Sequence, residues 1–313
     1  MKLRKTFLLA VFSAISINAH SFPTHSLEIV THSGAGGGTD LTARMVASLS
    51  EPILGKSITI VNKKGGGGIL SLDYTAAQPA DGYTILTYTS GQAAEISKGT
   101  SKLSLKDLIP LARATDDPQI LMIKCGRFKN GGEFIEAQKI HALTYGTTQL
   151  GGIDDVSAFA FTTKAKIKTA QVIPFDSANE IAVQIVAGGV DVGVLNLGEA
   201  KVQIEAGQVC PIVVLADERM KALPNTQTAK ELGIPVSLST VRGFVVKAGT
   251  PDNIVKKLET TLLEAMAKPE FQQFLKNQGL DASSVAGKDV WGKQLEDTDK
   301  EMYNSLKQLG FIQ

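Results

Sequence analysis

The sequence predicts an α/β protein in two lobes, and two observations carry the prediction. Apolar, strand-like runs alternate with helical patterns along the chain, the pattern of largely parallel sheets flanked by helices. A unit of strand, glycine-rich loop and helix start occurs near residue 36 and again near residue 150, one for each half of the chain. With 313 residues, 43% hydrophobic and 20% charged, the chain is long enough for one large or two medium soluble domains.

Residues 1–21 read as a secretory leader, with Lys2, Arg4 and Lys5 before an apolar stretch over 7–17, and cleavage after Ala19 or Ser21 fits equally. The apolar stretch is short for a bilayer span, and the mature chain is expected to be exported to the periplasm and soluble. Without the three leader cations, 29 basic residues face 31 acidic ones, a net −2 that gives no reason to expect a nucleic-acid partner. Cys125 and Cys210 both lie in strand-like contexts. Sequence does not bring their Cα atoms together, and two separate buried thiols are expected rather than a disulfide. The four histidines, at 20, 25, 32 and 141, do not form a metal-ligand pattern, and neither a metal nor a cofactor is expected.

The elements follow in order. A strand over 27–30 runs into Ser33-Gly34-Ala35-Gly36-Gly37-Gly38-Thr39-Asp40, and a helix follows with Leu41, Met45, Val46 and Leu49 on one face. Thr39 or Asp40 serves as N-cap, and Pro52 and Gly55 close the helix after about residue 50. A β-branched strand over 57–61 leads into a second glycine loop at 65–68, a helix over 69–77, a turn at 79–82 and a strand over 83–88. Residues 103–110 connect to a strand over 120–124 that crosses into the second lobe. There a short helix over 131–138 precedes a strand ending at Tyr145, the loop 146–152 and a helix over 154–163. Strands over 171–174, 190–196 and 209–215 alternate with helices over 178–187 and 199–206. A strand over 243–247 returns the chain to the first lobe. Helices over 252–267, from Pro269, and over 288–309 end it. The lobes are thus expected at 22–124 plus 241–313 and at 125–240, with a hinge near 124 and 240.

The chemistry is expected at the glycine loops. The first amides of a helix have no partner within it and carry partial positive charge, so a glycine turn leading into a helix is an anion site. Gly36, Gly37, Gly38, Thr39 and Asp40 are candidates in the first loop, Gly66 and Gly67 in the second, and Ser90 after the strand that follows. In the second lobe the candidates are Thr147, Thr148, Gln149, Asp155 and Asn196. Arg44 reads as a surface or inter-helix charge. Dinucleotide binding is disfavoured, since no acid follows the second strand, which ends at Asn62. Catalysis is disfavoured too: no nucleophile elbow is present and His32 has no evident partner.

Ordered along the chain, the motifs resemble the substrate-binding proteins of tripartite tricarboxylate transporters, the Bug-type periplasmic receptors. Gly36-Gly37-Gly38-Thr39-Asp40 is similar to the family's first loop, and Val61-Asn62 with Gly65 to Gly68 to its second. Pro79-Ala80-Asp81-Gly82-Tyr83-Thr84, Lys106-Asp107-Leu108-Ile109-Pro110, Gly188-Gly189-Val190-Asp191, Leu223-Pro224-Asn225-Thr226 and Ala248-Gly249-Thr250-Pro251 follow in the family's order. The resemblance implies a type II-like, two-lobed Venus-flytrap periplasmic binding protein, each lobe a mixed sheet flanked by helices. It further implies a monomeric receptor for a small carboxylate, held by loop amides, hydroxyls and water more than by arginine. The partners it implies are a large and a small integral-membrane permease subunit. A sensor that signals to a membrane protein is the alternative reading.

The chain departs from the family in two places. The second-lobe loop carries Gln149 for a glycine, Gly152 for a serine and Asp155 for a histidine, and the segment Thr240-Val241-Arg242-Gly243-Phe244 stands where the family often has a tryptophan. Asp155 has two readings, a partner for a ligand amine or a cap for its own helix.

Overall fold

Leu27–Thr31, the apolar run before the first glycine loop, is β1, and Gly38–Leu54 is α1. The computed structural model describes residues 22–148, 150–175 and 177–312, so the leader and Gln149 lie outside the described residues. In order come β2 Ile58–Asn62, α2 Ile69–Ala77, β3 Thr84–Thr89, α3 Ser90–Ser97 and β4 Leu108–Pro118. The second lobe holds β5 Ile120–Lys124, α4 Gly131–Ile140, β6 Thr144–Thr147, α5 Ile153–Lys164, β7 Gln171–Pro174, α6 Ala178–Ala187, β8 Val192–Leu195, α7 Lys201–Glu205 and β9 Val209–Val214. The return is β10 Ser239–Lys247, followed by α8 Asp252–Ala267, α9 Pro269–Asn277, β11 Ala286–Gly287 and α10 Lys288–Gln308.

Two sheets result, in strand orders β11-β4-β10-β3-β1-β2 and β7-β6-β8-β5-β9. Each is parallel at one end and antiparallel at the other, so the sheets are mixed rather than largely parallel. The chain leaves the first sheet at Pro118 and enters the second at Ile120, earlier than the boundary expected at 124. It returns at Ser239. β4 is the element the sequence hides. Pro110 and Pro118 speak against a strand, yet β4 bulges at Leu111, next to Pro110 and opposite Phe244 and Val245 of β10, and the ladder continues.

Other local expectations are corrected. Pro52 lies inside α1, because it faces solvent, where water can take the carbonyl it leaves unbonded. The helix ends at left-handed Gly55, whose amide donates to the Glu51 carbonyl. The N-cap is Gly37, not Thr39 or Asp40, and Leu41 is exposed. The helix expected over 199–206 is only α7, entered through a 3₁₀ turn at Leu197–Ala200. The cysteines are not separate thiols: Cys125 and Cys210 are bonded, with Cα atoms 4.9 Å apart. Cys210 is in the ladder, facing Ile123, and Cys125 follows Lys124, which faces Val209, so sheet pairing brings together residues 85 apart in sequence.

One core cluster runs continuously from Leu27, Val46 and Leu258 in the first lobe through Leu111 and Ile120 to Ile181 and Val214 in the second. A second core, with Leu121, Phe134, Tyr145 and Phe161, also takes in Met302 and Leu306 of α10. The start of that helix, Trp291 and Leu295, is buried with Tyr88 and Val245 in the first lobe. Residues 241–313 therefore do not all pack on one lobe: α10 begins on the first and ends on the second. No helix among the described residues is long and apolar enough to cross a membrane.

Candidate functional site

The first loop is shaped by glycine and closed by one buried acid. Gly36 has φ +81°, and a β-carbon on Gly37 would stand 2.2 Å from Ser33 Oγ. No side chain caps α1. Asp40 reaches back instead. Its Oδ2 accepts from the Gly36 amide and from Arg44 Nε, both at 2.8 Å, and its Oδ1 accepts from Asn62 Nδ2 at 2.8 Å. Burial pushes this carboxyl upward, but the donors outweigh it and hold the pKa at about 2. Asp40 thus ties the loop to β2, and Arg44, its side chain 49% exposed, is its surface partner. The Gly38 and Thr39 amides, in the first turn of α1, remain without intrahelical acceptors.

The loop at 65–68 is a packing device. Its four glycines all have positive φ. A β-carbon on Gly67 would stand 2.8 Å from Glu95 Oε1, and one on Gly68 2.6 Å from Gln92 Cγ, so the loop lies directly on α3. Gly66 and Gly67 are themselves exposed. Ser90 is buried and spoken for: its hydroxyl donates to the Ser239 carbonyl at 2.9 Å and accepts from the Val241 amide at 3.2 Å.

The second lobe copies the first loop. Gly152 is the N-cap of α5 with no side-chain cap, and Asp155, third in the helix like Asp40 in α1, accepts from the Gly151 amide at 2.8 Å. Burial raises its pKa, while that amide and Lys98, at the C-cap of α3, pull it down. The bond from the Gly151 amide is of the kind the capping reading expects. Asp154 is buried beside it, accepting from the Thr148 amide and hydroxyl and from Gln119 Nε2. Thr148 is thereby committed to the loop, whereas the buried Thr147 hydroxyl has no partner among the described residues. Asn196 donates to the carbonyls of Asp117 at 2.8 Å and Pro118 at 3.1 Å, which fastens the second lobe to the crossing strand.

Where the strands cross, a cavity of about 360 Å³ opens between Gly38 and Leu41 of α1, Asn196 and Glu199 of the second lobe, Asp117 and Arg242, with the end of α9 as its far wall. Arg242 is the residue that sequence reasoning passed over. It sits in β10 between Thr89 and Thr115, and its Nη2 lies 3.4 Å from where a β-carbon on Gly38 would be. Its Nε and Nη1 are buried with no hydrogen-bond partner among the described residues. A guanidinium against the positive end of a helix is unfavourable unless an anion joins them. The sequence did carry a signal: a lone charge inside the apolar run Thr240-Val241-Arg242-Gly243-Phe244-Val245.

The same cavity gathers acids. Burial pushes Asp117 up to about 7 against the pull of Arg242, with Glu199 and Asp116 adding to the rise. Burial also takes Glu199 to about 7, opposed by its bond from the Asn196 amide, reinforced by Asp154 and eased by Arg242. His32, beside the second glycine loop, is driven down to about 4 by burial and then by Arg242, and is neutral. A larger opening of about 700 Å³ lies between α10 and residues 235–239, but neither α1 nor α5 lines it with its N-terminus. Its lysines are already paired, Lys164 with Glu301 and Lys293 with Asp297. No group of three or more His, Cys, Asp or Glu among the described residues is arranged to hold a metal.

The family model described as the tripartite tricarboxylate transporter family receptor matches residues 42–310. A UPF0065 protein of Bordetella pertussis is 28% identical over 299 residues, spanning 92% of this chain and 91% of that protein. A TctC solute-binding protein from Polaromonas, solved without ligand, superposes with a TM-score of 0.85 at 24% identity, covering 92% of this chain and all of that one. MatC from Rhodopseudomonas palustris, solved with bound malate, superposes with a TM-score of 0.72 at 24% identity over 91% of this chain and all of its own. At such identities the superpositions speak for the fold, and both share its two lobes.

Proposed function

The chain belongs to the tripartite tricarboxylate transporter receptor family, and we propose that it is a periplasmic receptor that captures a small carboxylate between its lobes and delivers it to a membrane permease. Receptors of this family are solute-binding proteins that work with tripartite permeases, and a structural neighbour holds malate. The observation that carries the reading is the meeting of Arg242, two of its nitrogens buried and unpartnered, with the uncapped N-terminus of α1. Both groups lie on the first lobe and at the crossing strand, while Asn196 and Glu199 bring the second lobe to the same cavity. A ligand that touches both lobes favours the closed arrangement by its differential affinity. The permease then recognises that arrangement. A disulfide between Cys125 and Cys210 suits an oxidising compartment such as the periplasm.

The test is thermal shift of the mature protein, refolded to strip carried-over ligand, against mono-, di- and tricarboxylates, aromatic acids and amino acids. A ligand at a hundredfold excess over its Kd stabilises by about 2.7 kcal/mol. Stabilisation by one acid class, lost in Arg242→Gln, is the expected result. Stabilisation that Arg242→Gln leaves intact would move the anion site elsewhere.

A further inference from the structure

We propose that the ligand is a zwitterion, its carboxylate held by Arg242 and the first amides of α1 and its protonated amine by Asp117. The inference rests on the receptor reading above and narrows it. Arg242 and Asp117 line one cavity, yet no ion pair joins them among the described residues. Each keeps an unsatisfied atom: Nε and Nη1 of the guanidinium and Oδ1 of the carboxyl are buried with no partner there. Asp117 is only 5% exposed, and an unpaired buried charge costs several kcal/mol. A ligand with both charges provides a partner for both groups at once.

Other acids fit worse. A plain monocarboxylate answers Arg242 and leaves Asp117 without a partner. A dicarboxylate brings its second charge against Asp117 and Glu199, where like charges repel, and the remaining cation of the lining, Lys201, is largely in solvent and shared with Glu205. An ammonium placed directly on Asp117 draws the proton from it, adding to the pull of Arg242 that burial otherwise outweighs. Leu41 and Phe274 offer the ligand's carbon skeleton an apolar wall. The ligand class is therefore a small amino acid, and the Arg242–Asp117 pair is what discriminates it from its des-amino counterpart.

Calorimetric titration tests this with two matched pairs, aspartate against succinate and alanine against propionate. In the wild type the better-binding amino acid should exceed its des-amino partner by about tenfold or more, because a site built for a polar group rejects the analogue that lacks it. Asp117→Asn, close in shape, should collapse that ratio by weakening the amino acid alone. Arg242→Gln should weaken both members. Des-amino acids that bind the wild type as tightly as amino acids would overturn the zwitterion and leave the receptor standing. An unchanged ratio in Asp117→Asn would do the same. If neither these acids nor any in the wider panel bound, both readings would fall.

Discussion

Asp117 and Arg242 share a cavity, and the pH dependence of the empty protein should reveal it. Acids raised by burial bind more protons in the folded chain than in the unfolded one. Asp117 and Glu199 thus lend stability that falls as pH rises from the ordinary carboxylate range to about 7. His32, lowered to about 4, acts oppositely, and stability gains as pH rises towards its ordinary range. Removing one falling component by Asp117→Asn should make the ligand-free melting temperature decline less, or rise more, than the wild type's across that interval. Parallel curves would mean that Asp117 ionises normally. Asp40 has the contrary sign. Its depressed pKa gives stability that is complete above the ordinary carboxylate range and is lost as pH falls through about 2. Asp40→Ala strips three donors of their acceptor and should cost roughly 2–3 kcal/mol near neutrality, a deficit that narrows in acid and is read by denaturant titration. At this scale the sequence was a partial guide. Glycine spacing located both loops, but Asp40, Ser90, Thr148 and Asn196 stood out only as polar residues near an anion site. The structure spends their hydrogen bonds on the scaffold. Which way a polar side chain turns depends on partners brought from far along the chain, such as Asn62 and Ser239, and local pattern does not record that.

Among the elements, β10 is the one on which the others depend. It pairs with β3 and β4, bears Arg242, and at Gly243 passes under the indole of Trp291. A β-carbon at Gly243 would stand 2.5 Å from Trp291, which is fully buried, so Gly243→Ala must push the indole and α10 outward. The expected cost is about 1–3 kcal/mol, with a changed tryptophan emission from the only tryptophan in the chain; an unaltered spectrum and melt would contradict it. The disulfide pins β9, an edge strand, to β5. Replacing both cysteines by serine should lower stability by roughly 2–4 kcal/mol, while reduction of the wild type should match the double variant. Strands such as β1 and β3 and helices such as α2 were plain from apolar period and glycine boundaries. β4 was not, because its prolines argue against a strand, and a bulge beside Pro110 and the position of Pro118 at the strand end accommodate them. The bond between the cysteines was hidden for a related cause: antiparallel pairing of β5 with β9 sets their distance, and a single sequence does not show which strands pair.

For the molecule as a whole, the alternation of strands and helices foretold two α/β lobes, and the ordered motifs foretold the family. Neither foretold how the lobes are joined. Besides the two crossing strands, a continuous core links them on one side, and α10 spans them on another, from Trp291 and Leu295 to Met302 and Leu306. Leu306 is near the C-terminus, where truncations are often harmless, yet it is fully buried. Leu306→Ala should cost about 2–4 kcal/mol, and a wild-type melt would detach the helix from the second core. A rod clamped at both ends does not swing. To part the lobes widely, α10 must bend, or its last turns must peel from the second core, and either movement works like releasing a latch. Trp291, Leu295, Met302 and Leu306 set the strength of that latch, and none of them lines the cavity at Arg242. On the receptor reading, how long a captive stays would be written in a different part of the chain from which captive is chosen, and substitutions at Met302 and Leu306, remote along α10 from the Gly243 that Trp291 covers, would retune the first without touching the second.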